Sequence, residues 1–276
     1  MRNIKVVVLA ILASVSALKA QDTLFLFQSS GGVVKYDLSK LDSMTFSASQ
    51  NTNTLDTSKT TLDSLGSITD IDGNVYPTVK IGQQYWTAKD LKTTRFANGD
   101  KIATTCPPTL NIANETAPIY QWAYQGLECN TMEYGRLYTW FAAGDTRNVC
   151  PSGWHVPTDN EWAELITYLG GTKLVGGTIG GGALKNSTGA FWNTQRSASI
   201  DSVGFNSIAG GFRRPEGLFE GRGESVHYWT STWDTTVNTN NNGYPGVYRA
   251  MTNDDDLIYR YSHIPTHGFH VRCIKN

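Results

Sequence analysis

The sequence predicts an α+β protein: one main helix among many short antiparallel strands and long loops, preceded by a small β-hairpin unit. Two observations carry that prediction. "TDNEWAELITYLGG" (158–171) is the clearest segment with the period of a buried-face helix. The C-terminal third alternates short strand-like runs with polar turns.

Taken in order, the chain opens with Arg2 and Lys5 ahead of "VVVLAILASVSALKA", an apolar run ending in small residues. That is the pattern of an export signal, cleaved after Ala17 or Ala20. The run is short of the ~20 apolar residues a membrane span needs, and no later segment is apolar enough to span. No cysteine follows it closely, so a lipid anchor on the mature N-terminus is not expected. The reading assigns residues 1–20 to the signal, 21–46 to a small β unit, 47–67 to a polar linker and 68–276 to the main domain. In the β unit "TLFLF" and "VVKYDL" read as strands, "QSSGG" as the turn between them, and "LSKLDSMTF" as a short helical turn or third strand. The linker "SASQNTNTLDTSKTTLDSLGS" is nearly all Ser, Thr, Asn and Asp, which buries little.

The main domain starts with "ITDIDGNVYPTVKIGQQYWTAKDL", two strand-like runs around Gly82-Gln83-Gln84. Asp70, Asp72 and Asn74 are spaced as in a calcium loop, but such a loop needs glycine at its sixth position and glutamate at its twelfth. Here the glycine, Gly73, is fourth and Ile81 is twelfth, so "DIDGN" reads as a hairpin turn. In the helix, Thr158 is the N-cap and Glu161 completes a capping box. Trp162, Leu165, Ile166 and Leu169 form its buried face, and Gly170-Gly171 stop it. "GGTIGGGALK" lacks the spacing of a phosphate loop and reads as a surface loop. "GFNSIAGGFRR", "VHYWTSTWD", "GVYRAMT", "DLIYRY" and "GFHVRCI" read as strands.

Composition limits the function classes. Apolar residues are 39% and charged residues 17% of the chain, and the net charge is −1, so no basic field exists to recruit nucleic acid. Export places Cys106, Cys129, Cys150 and Cys273 in an oxidising compartment, where four cysteines allow three pairings. A local Cys106–Cys129 staple with a long-range Cys150–Cys273 clasp is the favoured set. No C-x-x-C spacing supports a metal site.

The ordered segments "DGNVYPTVKIGQQYW", "YGRLYTWFAA", "CPSGWHVPTDNEW", "GFNSIAGGFRR", "YWTST" and "GFHVRCIKN" together resemble the Fibrobacter succinogenes major paralogous domain over about residues 68–276. The first unit is similar to a short N-terminal module of exported bacterial proteins. More distantly, the order is similar to the C-type lectin-like fold and to the formylglycine-generating, sulfatase-modifying superfamily. The resemblance implies a compact domain whose termini meet in one sheet, with long loops on one face for binding. It also supports Cys150–Cys273. It implies no particular reaction or ligand.

Candidate sites follow from these readings. Formylglycine-generating enzymes use active cysteines near the C-terminus, but here only Cys273 lies there, in a closing strand where a bridge is expected. No catalytic residue is assigned. His263, His267 and His270 are spaced H-x-x-x-H-x-x-H, yet Pro265 breaks any helix that would align them. His155 reads as a hydrogen-bonded core residue, and Trp86, Trp140, Trp154, Trp162 and Trp229 as core. No cofactor is expected; calcium is the one ion considered, with Asp234, Asp254, Asp255 and Asp256 as weak candidates in oxygen-rich loops. The expected binding surface is the loops 212–222 and 233–263, with Arg213, Arg214, Trp233, Asp234, Tyr244, Tyr248, Arg249, Tyr259 and Arg260, the residue types that anchor interfaces and stack on sugars. The expected protein is an exported, cell-surface or secreted, non-catalytic module that binds a glycan or a protein. An oxidoreductase of the sulfatase-modifying type and a structural part of an extracellular assembly are the alternatives.

Overall fold

The computed structural model describes strands Thr23–Phe27 and Val33–Asp37 and residues 66–276, apart from 175–176, 194–198 and 237–244. The chain divides into two units, 1–59 and 60–276. In the first, β1 (Thr23–Phe27) and β2 (Val33–Asp37) pair antiparallel, Thr23 opposite Asp37 and Phe27 opposite Val33. The expected export signal, "QSSGG" turn and third element and nearly all of the expected linker lie outside the described residues; Ser67 at the linker's end already begins the next strand.

The second unit opens with β3 (Ser67–Thr69), β4 (Val75–Ile81) and β5 (Gln84–Thr87). Then come β6 (Gln121–Trp122), α1 (Thr131–Tyr134), β7 (Leu137–Tyr138), α2 (Trp140–Ala143), β8 (Trp154–His155) and α3 (Asp159–Tyr168). The C-terminal half holds β9 (Lys173–Leu174), β10 (Gly177–Ile179), α4 (Gly181–Leu184), β11 (Gly210–Arg213), β12 (Phe219–Arg222), β13 (Ser225–Trp233), β14 (Gly246–Thr252), β15 (Leu257–His263) and β16 (Ile274–Lys275). The architecture is α+β. A five-stranded sheet runs β3-β4-β5-β16-β8 and a seven-stranded sheet runs β12-β11-β13-β14-β15-β10-β9. In the first, the last strand of the chain lies between the strands that open the unit and the strand that leads into α3.

"DIDGN" is a turn, as expected. Asp70 accepts from the backbone of Asp72 (3.0 Å) and Asn74 (2.9 Å) and from the Tyr76 hydroxyl (2.6 Å), the behaviour of an Asx turn. Helix α3 has its capping box: the Thr158 hydroxyl accepts from the Glu161 amide and the Glu161 carboxylate accepts from the Thr158 amide. "GGTIGGGALK" is more ordered than the surface loop expected. It supplies β10 and the one-turn α4, whose Gly181, Gly182 and Leu184 are buried because they pack under β15.

Two aromatic clusters fill the interior. Between α3 and the sheets, Trp86 meets Trp162 at 5.0 Å and Trp162 stacks on Tyr228 at 5.6 Å. On the other side, Trp229 lies 4.3 Å from Phe269 beside the Cys150–Cys273 disulfide, which joins residues 123 apart. Closing a loop of that length removes about 4–5 kcal/mol of unfolded-state entropy in the chain-entropy model. The other expected bridge is absent: Cys106 and Cys129 are both free and exposed. Each sits in its own tight turn, Cys106 before the cis Pro107 and Cys129 inside the 3-10 turn Glu128–Asn130.

A buried ion pair joins the two clusters. Arg272 donates to Asp90, and its other nitrogens reach the carbonyls of Thr87 (2.7 Å), Phe205 (2.7 Å) and Asn206 (3.1 Å). Both side chains are almost wholly excluded from solvent, a placement that is tolerated because every guanidinium nitrogen is hydrogen-bonded.

Candidate ligand groove

The expected binding residues do not form one patch. Arg213 is not on the surface: it is fully buried, stacked 4.1 Å over Trp122, and it holds the carbonyls of Pro108 and Leu110. It clamps the 105–112 loop, while its neighbour Arg214 is exposed and pairs with Glu220 at 2.7 Å. Tyr248 and Tyr259 lie on one face of the seven-stranded sheet; Tyr248 is buried, and Tyr259 stacks on Tyr261 at 5.6 Å and donates to Asp255. Trp233 is 40% exposed and rests 4.5 Å from Trp140, which is only half-buried rather than core. Tyr244 lies outside the described residues.

Arg249 and Arg260 stand directly opposite each other on β14 and β15, on the face turned toward α3. Alternation puts them there: their sequence neighbours Tyr248 and Tyr261, also paired, take the other face. Asp159, the first residue of α3, accepts from both, at 2.8 Å from Arg249 Nε and 2.6 Å from Arg260 Nε. Asp234 stands 3.8 Å from Arg260 Nη2 at the end of β13. Burial lowers the Arg249 pKa, and the neighbouring Asp159 carboxylate opposes that shift. Arg249 is fixed and buried, whereas Arg260 keeps its outer side open to solvent.

These arginines wall one side of a groove of about 520 Å3 between α3 and strands β9, β10, β14 and β15. That volume is within the range of small-ligand sites, roughly 300–1,000 Å3. Lys173 and Thr178 stand on the opposite strands, and Ala163, Thr167 and Gly171 form the helix side. Gly171 is required by space, since a Cβ there would lie 2.6 Å from Ile166 and 2.8 Å from Thr178. Among the described residues, three cationic side chains line the groove and no acidic one does.

The calcium candidates are apart. Asp234 flanks the Gly246 end of β14, and Asp254–Asp256 occupy the turn at its Thr252 end, about 20 Å away for seven extended residues. Asp234 accepts from Thr236, and Asp255 from Leu257 and Tyr259, the bonds of ordinary turns. Among the described residues, no three His, Cys, Asp or Glu side chains are grouped to hold a metal. The three spaced histidines are also divided. His263 and His267 have ring centroids 4.0 Å apart, while His270 faces Asp90 at 3.4 Å on the other side of the sheet. His155 is hydrogen-bonded, to Glu161 at 2.9 Å and Asn276 at 2.7 Å, but it is part-exposed rather than core.

A family model described as the Fibrobacter succinogenes major domain matches residues 79–275. The chain belongs to that family. No curated protein and no solved structure matches it. The whole groove lies within the major domain: Lys173, Thr178, Arg249 and Arg260, together with Asp159 behind them. Of these, sequence reasoning identified only the two arginines of the major domain's C-terminal strands. Asp159 was legible as a helix-start acid, but its partners lie 90 and 101 residues away and carry no local signal. Lys173 sits in a two-residue strand, too short to show a period.

Proposed function

We propose that this major-domain protein is an exported, non-catalytic binding module that takes an anionic group of a surface glycan or protein in the groove between α3 and β14–β15. The observation that carries the reading is the cluster of Lys173, Arg249 and Arg260 around one groove without an acidic lining residue. Asp159 pre-sets Arg249 and Arg260, so less side-chain freedom is lost on binding. Charge-assisted bonds from guanidinium to carboxylate or sulfate are the strong class of hydrogen bond. The signal-like N-terminus supports export to the cell surface or medium. The C-type lectin-like resemblance supports recognition by the C-terminal segments, which contribute both arginines. The alternative of a cysteine-dependent oxidase is disfavoured because the closing-strand thiol, Cys273, is bonded to Cys150.

Probing the full chain with arrays of acidic glycans, neutral glycans and surface proteins tests this. Ligands bearing carboxylate or sulfate are expected to bind, with affinity falling as salt rises. Arg260→Ala should weaken them roughly ten- to hundredfold, the loss of one charge-assisted contact. Binding indifferent to both salt and Arg260→Ala would place recognition elsewhere.

A further inference from the structure

The cationic groove does not end at α3. A second depression of about 620 Å3 lies between the other flank of the helix and the β4–β5 turn, lined by Gly82, Gln83, Gln84, Asn160, Glu164 and Tyr168 among others. Ala163 and Thr167 line both depressions. They sit on the outer face of α3, whose buried residues are Trp162, Leu165 and Ile166. The small Ala163 side chain therefore makes a low saddle joining the two.

The two halves differ in chemistry. The first is cationic. The second presents an aromatic ring, Tyr168, at 61% exposure, and the exposed amides of Gln83 and Asn160 line the same depression, Asn160 at the other end of α3. Tyr168 lies across the turn because residue 82 is glycine, in a left-handed conformation (φ +63°) where a Cβ would come 2.9 Å from the ring. A depression with an exposed aromatic ring and amides along it suits neutral, hydroxyl-rich rings. Glu164, which accepts from Gln84 at 3.1 Å, adds a negative charge to this half alone. A ligand acidic along its whole length would meet that carboxylate.

We infer that the two depressions form one track for a glycan chain that carries a single acidic sugar, with the acid between Lys173, Arg249 and Arg260 and the adjoining neutral sugar over Tyr168. This rests on the proposed anion-binding role of the cationic half and adds its neighbour.

The test is calorimetric titration of the full chain with four defined probes. They are a uronic acid monosaccharide, a neutral trisaccharide, the same trisaccharide ending in one uronic acid, and an all-uronate trisaccharide; an acidic peptide serves as a fifth. The acid-ended trisaccharide is expected to bind best, roughly tenfold tighter than the free acid, as one added stacking or hydrogen-bonded contact gives. Tyr168→Ala removes the ring, and Tyr168 lines only the second depression. That change should abolish the gain from length and leave the affinity for the monosaccharide unchanged, whereas Arg260→Ala should weaken every acidic probe. Equal affinity for monosaccharide and acid-ended trisaccharide, or a length gain that survives Tyr168→Ala, overturns the track and leaves the cationic groove standing. Tighter binding of the all-uronate probe or the peptide also overturns it. Failure of every acidic probe, or indifference to Arg260→Ala, removes the anion-binding reading and the track with it.

Discussion

Asp159 and Asp90 are both carboxylates between basic groups, and their surroundings give them different work. Asp159 stands behind the groove and aims two arginines, one buried and one open to solvent. Asp90 is inside, and its partner Arg272 has no access to water. Asp90→Ala leaves that guanidinium buried with carbonyls but no counter-charge, so it should lower unfolding stability by about 3–5 kcal/mol. Urea denaturation reads this directly, and a loss within experimental error would mean that Arg272 is satisfied by its carbonyl partners alone. The sequence did not reveal this pair, because Asp90 and Arg272 are 182 positions apart. Local chemistry was more legible: Asp70, Thr158 and Glu161 bond to groups within a few residues, so their spacing foretold their partners. Arg213 and Arg214 mark the limit. They are adjacent and chemically identical, yet Arg213 ends β11 and is buried, while Arg214 begins the turn that follows and is exposed.

Among the elements, α3 joins both halves of the proposed track, and its start is anchored twice. Its capping box closes the first turn, and the Asp159 amide donates to the Thr232 hydroxyl at 2.9 Å, tying the helix to the end of β13. Thr158→Ala should cost about 1 kcal/mol. Since Asp159 follows it directly, the same change should also loosen Arg249 and Arg260 and weaken anionic ligands. A stability loss with unaltered binding would show that Thr232 holds Asp159 by itself. Helix α3 and the long strands β4, β13, β14 and β15 were legible because each is long enough to display its period. Strands β9, β10 and β12 and the one-turn helices α1, α2 and α4 were not. They have two to four residues each and exist because tertiary contacts hold them.

For the molecule as a whole, both ends of the major domain meet in the five-stranded sheet, and the Cys150–Cys273 clasp fixes the approach to α3 against the closing segment. The histidines of the other face give the fold a pH dependence. Burial, reinforced by neighbouring histidines, pulls His227 and His267 down to about 3. An unfolded histidine titrates near 6.5. Above that pH neither state binds the proton and the stability is complete. As pH falls from about 6.5 toward 3, the unfolded chain takes up protons that the folded chain refuses. Stability should drop by up to about 1.4 kcal/mol per pH unit for each histidine. The double variant His227→Phe, His267→Phe should flatten the thermal-stability profile over that window; an unchanged profile would assign the acid sensitivity to other groups.

The central claim, that the groove beside α3 is an anion-binding site, is tested most directly by titrating an acid-ended oligosaccharide into the wild-type full chain and into Arg260→Ala. The account predicts saturable, salt-sensitive binding to the wild type that weakens roughly ten- to hundredfold in the variant. Equal affinity for the two proteins, or no binding to the wild type, would contradict it.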